Sequence, residues 1–366
     1  MDQHASPTIL FIARRFPPSV GGMERFAFDL QASLRDKADV QLIKWGGANK
    51  WLPLVLPAFF VRACWTLITR KVDIIHVQDA LQSPMGAVLK LLFRKPLTVV
   101  AHGLDISFDN RVYQAVVPRA LRRADHVFCI SRAARDEVVA RGVPAEKVSS
   151  VPLGITDDLY DPDQEGARRR VCAEAGVAAS SRLVLSTGRL VKRKGVNWFV
   201  DTVLPDLVRD DGQIVFLVSG DGPERAEIEQ TVERRGLRDH VRLLGRTSDE
   251  VLRDLYNGSD VFVMPNIRVP GDMEGFGRVL LEAALCELPV VATGIEGIRD
   301  AITDGENGTL VAEQDPDAFG AAVRAVLADP EVARRTEVRA REYSLAHFAW
   351  DHVADQYLAE YQRLLV

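Results

Sequence analysis

Short β-branched runs alternate with longer stretches of helical spacing along this chain, and the alternation occurs twice. The first series comprises TILFIA (8–13), VQLI (40–43), VDIIHV (72–77), LTVVAH (97–102), HVFCIS (126–131) and VSSVPL (148–153). The second comprises RLVLSTG (182–188), IVFLVSG (214–220), VRLLG (241–245), DVFVMP (260–265), LPVVAT (288–293) and GTLV (308–311). Continuous apolar runs of this length suit strands covered on both faces, as in parallel sheets. Intervening segments such as GMERFAFDLQASLRD and RAARDEVVARG carry apolar residues at helical spacing. The predicted fold class is therefore α/β, with two Rossmann-like doubly wound domains in tandem. Turn formers cluster in GITDDLYDPDQEG (154–166), which puts the boundary near 155 and divides the chain into 1–155 and 156–346. A length of 366 residues is more than one ordinary core fills and fits two. Two such domains facing across a cleft would offer a favoured place for ligands.

Composition narrows the classes of function. Apolar residues make up 47% and charged residues 27%, as in a soluble globular protein. The four cysteines, Cys64, Cys129, Cys172 and Cys286, form no CxxC pair, which argues against a disulfide framework or zinc site and suits a reducing cytoplasm. The N-terminus reads as having no signal peptide, so a cytoplasmic location is expected. Residues 1–150 carry a net charge of +8 and the remainder −13, which sum to the overall −5. A basic half suggests an anionic partner. Nucleic acid is disfavoured, because no recognition motif accompanies the charge. An anionic membrane surface fits better: the apolar stretch from Trp51 to Ile68 is flanked by Lys50, Arg70 and Lys71, which would make the protein peripheral at the inner face of the membrane. Pro53, Pro57 and Arg62 make the same stretch a poor transmembrane helix. A core helix with a solvated basic face is the competing reading, and both stay open.

Ligands of open parallel sheets bind beyond the carboxyl ends of the strands, so the loops there hold the candidate residues. After the first run, Gly21 and Gly22 precede a helix and let a backbone approach a phosphate closely. After RLVLSTG, Arg189 can bind phosphate bidentately and Lys194 can act as a point charge; Lys192 and Arg193 are expected to face solvent. After DVFVMP, the stretch GDMEGFGRVLLEAALCELP places Glu274 in the loop and Gly275 and Gly277 where a helix is expected to start near Gly275, with Glu282 about two turns in. A carboxylate repels phosphate, so Glu274 and Glu282 suit hydroxyl groups, one from a sugar and one from a ribose. The competing reading makes Glu274 a helix-dipole partner and Glu282 a solvated residue. His102 ends the fourth run, and Asp105 can orient it or touch a substrate on the acceptor side. His76 reads as structural. No DxD motif follows an apolar strand, and no metal or other cofactor is expected.

Taken in order, PPSVGGMERF, AHGLDI, GRLVKRKG, SGDGPER, LLGRTSDEVL, EGFGRVLLEAALCELPVVAT and DGENGTLV resemble a retaining glycosyltransferase of family 4 with the GT-B fold. The resemblance covers nearly the whole chain, and Glu274-x7-Glu282 with GFG between is its most specific element. It implies that Arg189 and Lys194 bind the diphosphate of a nucleotide-sugar donor, with a backbone amide of Gly22 offered to the same phosphates. Glu274 would hold the sugar hydroxyls beside the amides of Phe276 and Gly277. Glu282 would hold the ribose, Gly245 and Arg246 the base, and His102 the sugar near its anomeric centre. The C-terminal helix (347–366) would cross back to the first domain. Leu153, Glu287 and Arg299–Asp300 depart from the family pattern, and the last leaves the role of that loop open. The expected activity is metal-free hexosyl transfer with retention, UDP-sugar favoured and GDP-mannose admitted, to a lipid-linked or membrane-bound glycan in polysaccharide or glycolipid assembly. A sugar-nucleotide epimerase and a non-catalytic sugar-nucleotide-binding protein remain as alternatives.

Overall fold

Each of the twelve runs forms a strand in the computed structural model, which describes residues 6–19, 21–328 and 330–366. In the first unit these are β1 (Thr8–Ala13), β2 (Asp39–Lys44), β3 (Ile74–Val77), β4 (Leu97–Ala101), β5 (His126–Cys129) and β6 (Val148–Ser150). In the second they are β7 (Arg182–Thr187), β8 (Ile214–Ser219), β9 (Val241–Gly245), β10 (Val261–Met264), β11 (Val290–Thr293) and β12 (Thr309–Val311). The strands form two six-stranded sheets, ordered β2-β1-β3-β4-β5-β6 and β12-β11-β10-β7-β8-β9. Every pairing within them is parallel. The chain divides into a unit ending at Gly154 that regains the chain at Phe348–Val366, and a unit spanning Ile155–His347.

Central strands carry the cores because both of their faces are covered. β1, β3, β4 and β5 are buried along nearly their whole length, with Leu10, Ile12, Ile75, Val77, Val99 and Val127 meeting in one cluster. The second core is built likewise around Val184, Phe216, Val263 and Val291, with Phe199 and Phe319 from the flanking helices. The apolar stretch from Trp51 departs from expectation. Leu52–Thr69 is one continuous helix despite its prolines. Pro53 lies in the first turn, where an amide has no helical partner, and Pro57 removes only the bond that would reach Pro53. The helix is long and apolar enough to cross a membrane, by length and composition, and little of it is buried.

The last helix, Trp350–Leu365, belongs to the first unit and begins after Ala349, whose ψ of 140° is not helical. It buries Trp350, Val353, Tyr357 and Tyr361. The Tyr357 ring lies 4.1 Å from that of Phe128 on β5, and Trp350 packs on Phe26. Lys37 pairs with Asp355 at 2.6 Å, and Ser33 Oγ donates to the Trp350 carbonyl. At the centre of this contact His76 on β3 is fully buried: Nε2 lies 2.9 Å from Gln78 Oε1, and Nδ1 lies 2.9 Å from the Tyr361 hydroxyl. Gln78 Oε1 only accepts, so Nε2 carries the proton and Nδ1 accepts from Tyr361. His76 is structural here.

Burial lowers the His76 pKa from 6.5 to about 4. As pH falls, the unfolded chain takes up this proton before the folded one. The stability contributed by the neutral ring is therefore whole above about pH 6.5 and is lost toward about pH 4, by up to about 3 kcal/mol. Urea denaturation across that range should show the decline, and His76→Gln should start less stable but decline less steeply. An unchanged slope in the variant would rule out His76 as the source.

Candidate functional site

The second sheet reverses its winding between neighbours β7 and β10, the position where open α/β sheets bind ligands. The loops leaving these two strands lock together. Gly195 follows a short turn over Lys192–Lys194 and has a φ of +65°; a Cβ there would lie 1.8 Å from the Pro265 carbonyl oxygen. Only glycine admits both the left-handed backbone and this approach. The Ile267 amide also donates to the Arg193 carbonyl at 3.0 Å.

Glu274 is the centre of this corner. Its Oε2 lies 2.7 Å from Lys194 Nζ and 3.2 Å from Arg193 Nη1, and it accepts from Asn266 Nδ2 at 3.1 Å. Burial opposes ionisation of the carboxyl, but the charges of Lys194 and Arg193 outweigh it and hold the pKa below the usual value. Its backbone is clamped as well. The Glu274 amide donates to Glu296 Oε2 at 2.6 Å, and its carbonyl accepts from the Gly297 amide at 3.2 Å. Burial raises the pKa of Glu296, with the Glu274 amide acting in the opposite sense. The loop EGIRDAI, whose role the sequence left open, thus grips Glu274 on both sides.

Two expectations are corrected here. Arg193 does not face solvent: it is half of a fork joining Asp272, at 3.0 Å, and Glu274. Lys192 is exposed, as expected. The helix starts at Arg278 and not near Gly275, because Gly277 at φ +89° lies outside helical geometry and serves as its N-cap. Gly275 and buried Phe276 therefore belong to the loop, and Glu282 lies just over one turn into the helix Arg278–Leu285. Nor is Glu282 a solvated residue. It accepts from the Tyr256 hydroxyl at 3.0 Å and from Arg278 Nε at 2.9 Å. Tyr256 is buried and reaches Thr187 at the end of β7, so Glu282 is fixed from two directions; burial first, then the Glu282 charge, raises the Tyr256 pKa.

Arg189 is exposed beside this corner and has no carboxylate partner among the described residues. Gly245 ends β9 with its carbonyl accepting from the Gly220 amide at 2.7 Å, and Arg246 follows it, exposed. Lys194 and Glu274 are thus brought into contact, whereas Glu282 belongs to a separate hydrogen-bonded group.

In the first unit, His102 lies just beyond β4 and is buried, with Nε2 donating to the Gln78 carbonyl at 2.9 Å. Asp105 accepts from the His102 amide at 2.7 Å and the Ala80 amide at 3.0 Å, so its carboxylate holds the backbone on which His102 sits. Gly21 precedes the helix Gly22–Arg35, and the site of a Gly22 Cβ opens onto free space. Sequence reasoning missed Arg14 and Asp79, a buried ion pair at 2.7 Å that joins the loops after β1 and β3, where this sheet also reverses. Their only signal was position at strand ends.

Two family models match. The one described as "Glycosyltransferase Family 4" covers residues 20–159, and the one described as "Glycosyl transferases group 1" covers residues 172–343. This chain belongs to glycosyltransferase family 4. It is a glycosyltransferase with the α/β architecture of GT-B proteins. The enzyme is 28% identical to the GDP-mannose-dependent alpha-(1-6)-phosphatidylinositol monomannoside mannosyltransferase of Mycolicibacterium smegmatis, over 93% of this chain and 95% of that one. It is also 28% identical to alpha-maltose-1-phosphate synthase of the same organism, over 97% and 99%. The solved structure of Anabaena HepE in complex with UDP and glucose matches the glycosyltransferase with a TM-score of 0.76 and 21% identity, covering 97% of this chain and 99% of that one; the likeness concerns the fold.

If the locked loops position Lys194, Gly195→Ala should destabilise this glycosyltransferase by about 2 kcal/mol or more. Gly212, exposed and with no neighbour near a Cβ, serves as the control: Gly212→Ala should stay within about 0.5 kcal/mol of wild type. Chemical denaturation of the two variants separates these outcomes.

Proposed function

We propose that this glycosyltransferase moves a hexose from a nucleoside-diphosphate sugar to a lipid-linked or membrane-bound glycan, with retention and without a metal ion. The observation that carries the reading is the Lys194–Glu274 contact at the β7/β10 reversal, beside exposed Arg189. A diphosphate needs cations, which Arg189 and Lys194 supply. A carboxyl kept ionised accepts hydrogen bonds and repels phosphate, so Glu274 suits the hydroxyls of the sugar. Glu282, fixed by Tyr256 and Arg278, suits the ribose hydroxyls, with the backbone at Gly245–Arg246 for the base and the Phe276–Gly277 amides beside the sugar. His102, with Asp105 setting its backbone, and Gly22 are the residues assigned in the first unit.

In the transfer step the bond between the anomeric carbon and the phosphate oxygen breaks, and the acceptor oxygen bonds to that carbon on the same face. The acceptor's proton passes to the departing phosphate oxygen. Arg189 and Lys194 stabilise the charge that gathers on that phosphate as it leaves. UDP is the favoured nucleotide, supported by the HepE complex; the GDP-mannose-dependent relative supports the other choice. That relative is named for a phosphatidylinositol monomannoside, which supports a lipid-linked acceptor; glycolipid or polysaccharide assembly at the cytoplasmic membrane face is the setting proposed with it.

Calorimetric titration with UDP, GDP and ADP identifies the nucleotide. Lys194→Ala and Arg189→Ala should each lower kcat about a hundredfold or more with little change in unfolding midpoint, because Glu274 keeps Arg193 and Asn266. A chelator should leave the rate unchanged. Near-normal transfer by both variants would sink the assignment.

A further inference from the structure

Large exposed apolar side chains gather on one flank of the first unit. The helix Leu52–Thr69 buries Val55, Phe59 and Ala63 and exposes Leu54, Val61, Trp65 and Ile68 on its other side. Spacings of seven, four and three residues put those four on a single stripe. The helix Ser83–Phe93 packs beside it and exposes Leu91 and Leu92, the former at 75%. Scattered apolar residues are ordinary on a surface, but six large exposed apolar side chains on two packed helices mark an interaction face.

Charge identifies the partner. Neither helix contains an Asp or Glu. Lys90 is committed to Asp125, but Arg62, Arg70, Lys71, Arg94 and Lys95 have no carboxylate partner among the described residues. An apolar face fringed by five cations without a carboxylate partner would repel a second copy of itself, since a two-fold contact brings like faces together. The same face complements a surface with an apolar interior and an anionic rim. We propose that this flank docks on an anionic lipid bilayer, with Trp65, Leu91 and their neighbours entering between the headgroups and the five cations meeting lipid phosphates. The helix Leu52–Thr69 lies flat there and does not span, because its other side is built into the core of the unit with Ile43, Val72 and Val77. This deepens the reading of a lipid-linked acceptor and rests on it for the use to which docking is put.

The docking is tested without donor or acceptor, so its failure is distinct from failure of the transfer reading. The full chain is co-sedimented with vesicles of phosphatidylcholine alone and of phosphatidylcholine mixed with phosphatidylglycerol. Binding should be at least about tenfold tighter to the mixed vesicles and should weaken with salt. Trp65→Ser combined with Leu91→Ser should reduce that binding by about tenfold or more while leaving the unfolding midpoint and nucleotide titration unchanged, since both side chains are exposed. Three results overturn the proposal: no binding to either vesicle, equal binding by the double variant, or a wild-type dimer in light scattering that the variant converts to monomer.

Discussion

Lys194 and Glu274 form a buried-edge ion pair whose two members come from loops on adjacent strands, and the rest of the second unit can be understood as what holds them there. Charge pairs in partial burial are stabilising only when their remaining hydrogen-bonding capacity is met. Here Asn266 and Arg193 meet it on the side-chain side, and Glu296 and Gly297 meet it on the backbone side. The glycine at 195 sets how near the two loops come. A carboxylate gripped at its amide, its carbonyl and its Oε2 has little freedom left, which is what a hydroxyl-reading group requires. Glu282 is held by a different route, through Tyr256 to the end of β7. Two carboxylates eight residues apart in sequence are thus organised by separate networks.

The fold was legible because parallel sheets write themselves as continuous apolar runs, and each of the twelve runs became a strand. Ends were less legible: LTVVAH stops at Ala101, LPVVAT starts at Val290, and the helix after GFG starts at Arg278. Strand ends depend on which amides find a partner, and that is decided by neighbouring strands, not by local composition. The paired prolines of the stretch from Trp51 read as interruptions, yet the first turn tolerates one and the helix absorbs the other.

Within the candidate site, residues at strand ends were found by position, and their partners were not. Arg193 sits one place from Lys194 in a basic run, and nothing local distinguishes a guanidinium facing water from one reaching Asp272. Glu296 is twenty-two residues from the amide it accepts from, across the helix Arg278–Leu285 and β11. Long-range pairing of this kind carries no period and no composition signal. The same holds for Arg14 and Asp79, which meet only because β1 and β3 are neighbours in the sheet.

The return of the chain to its first unit has a consequence for biosynthesis. Tyr357 and Tyr361 cover Phe128 and satisfy His76, yet they leave the ribosome after the whole of the second unit. Until then one face of the first sheet has an uncovered aromatic patch and a histidine lacking one partner. Domains ordinarily mature in the order of their synthesis. In this protein the earlier-made unit is sealed only after the later one has been made, so the second unit is free to mature while the first still awaits its closing helix.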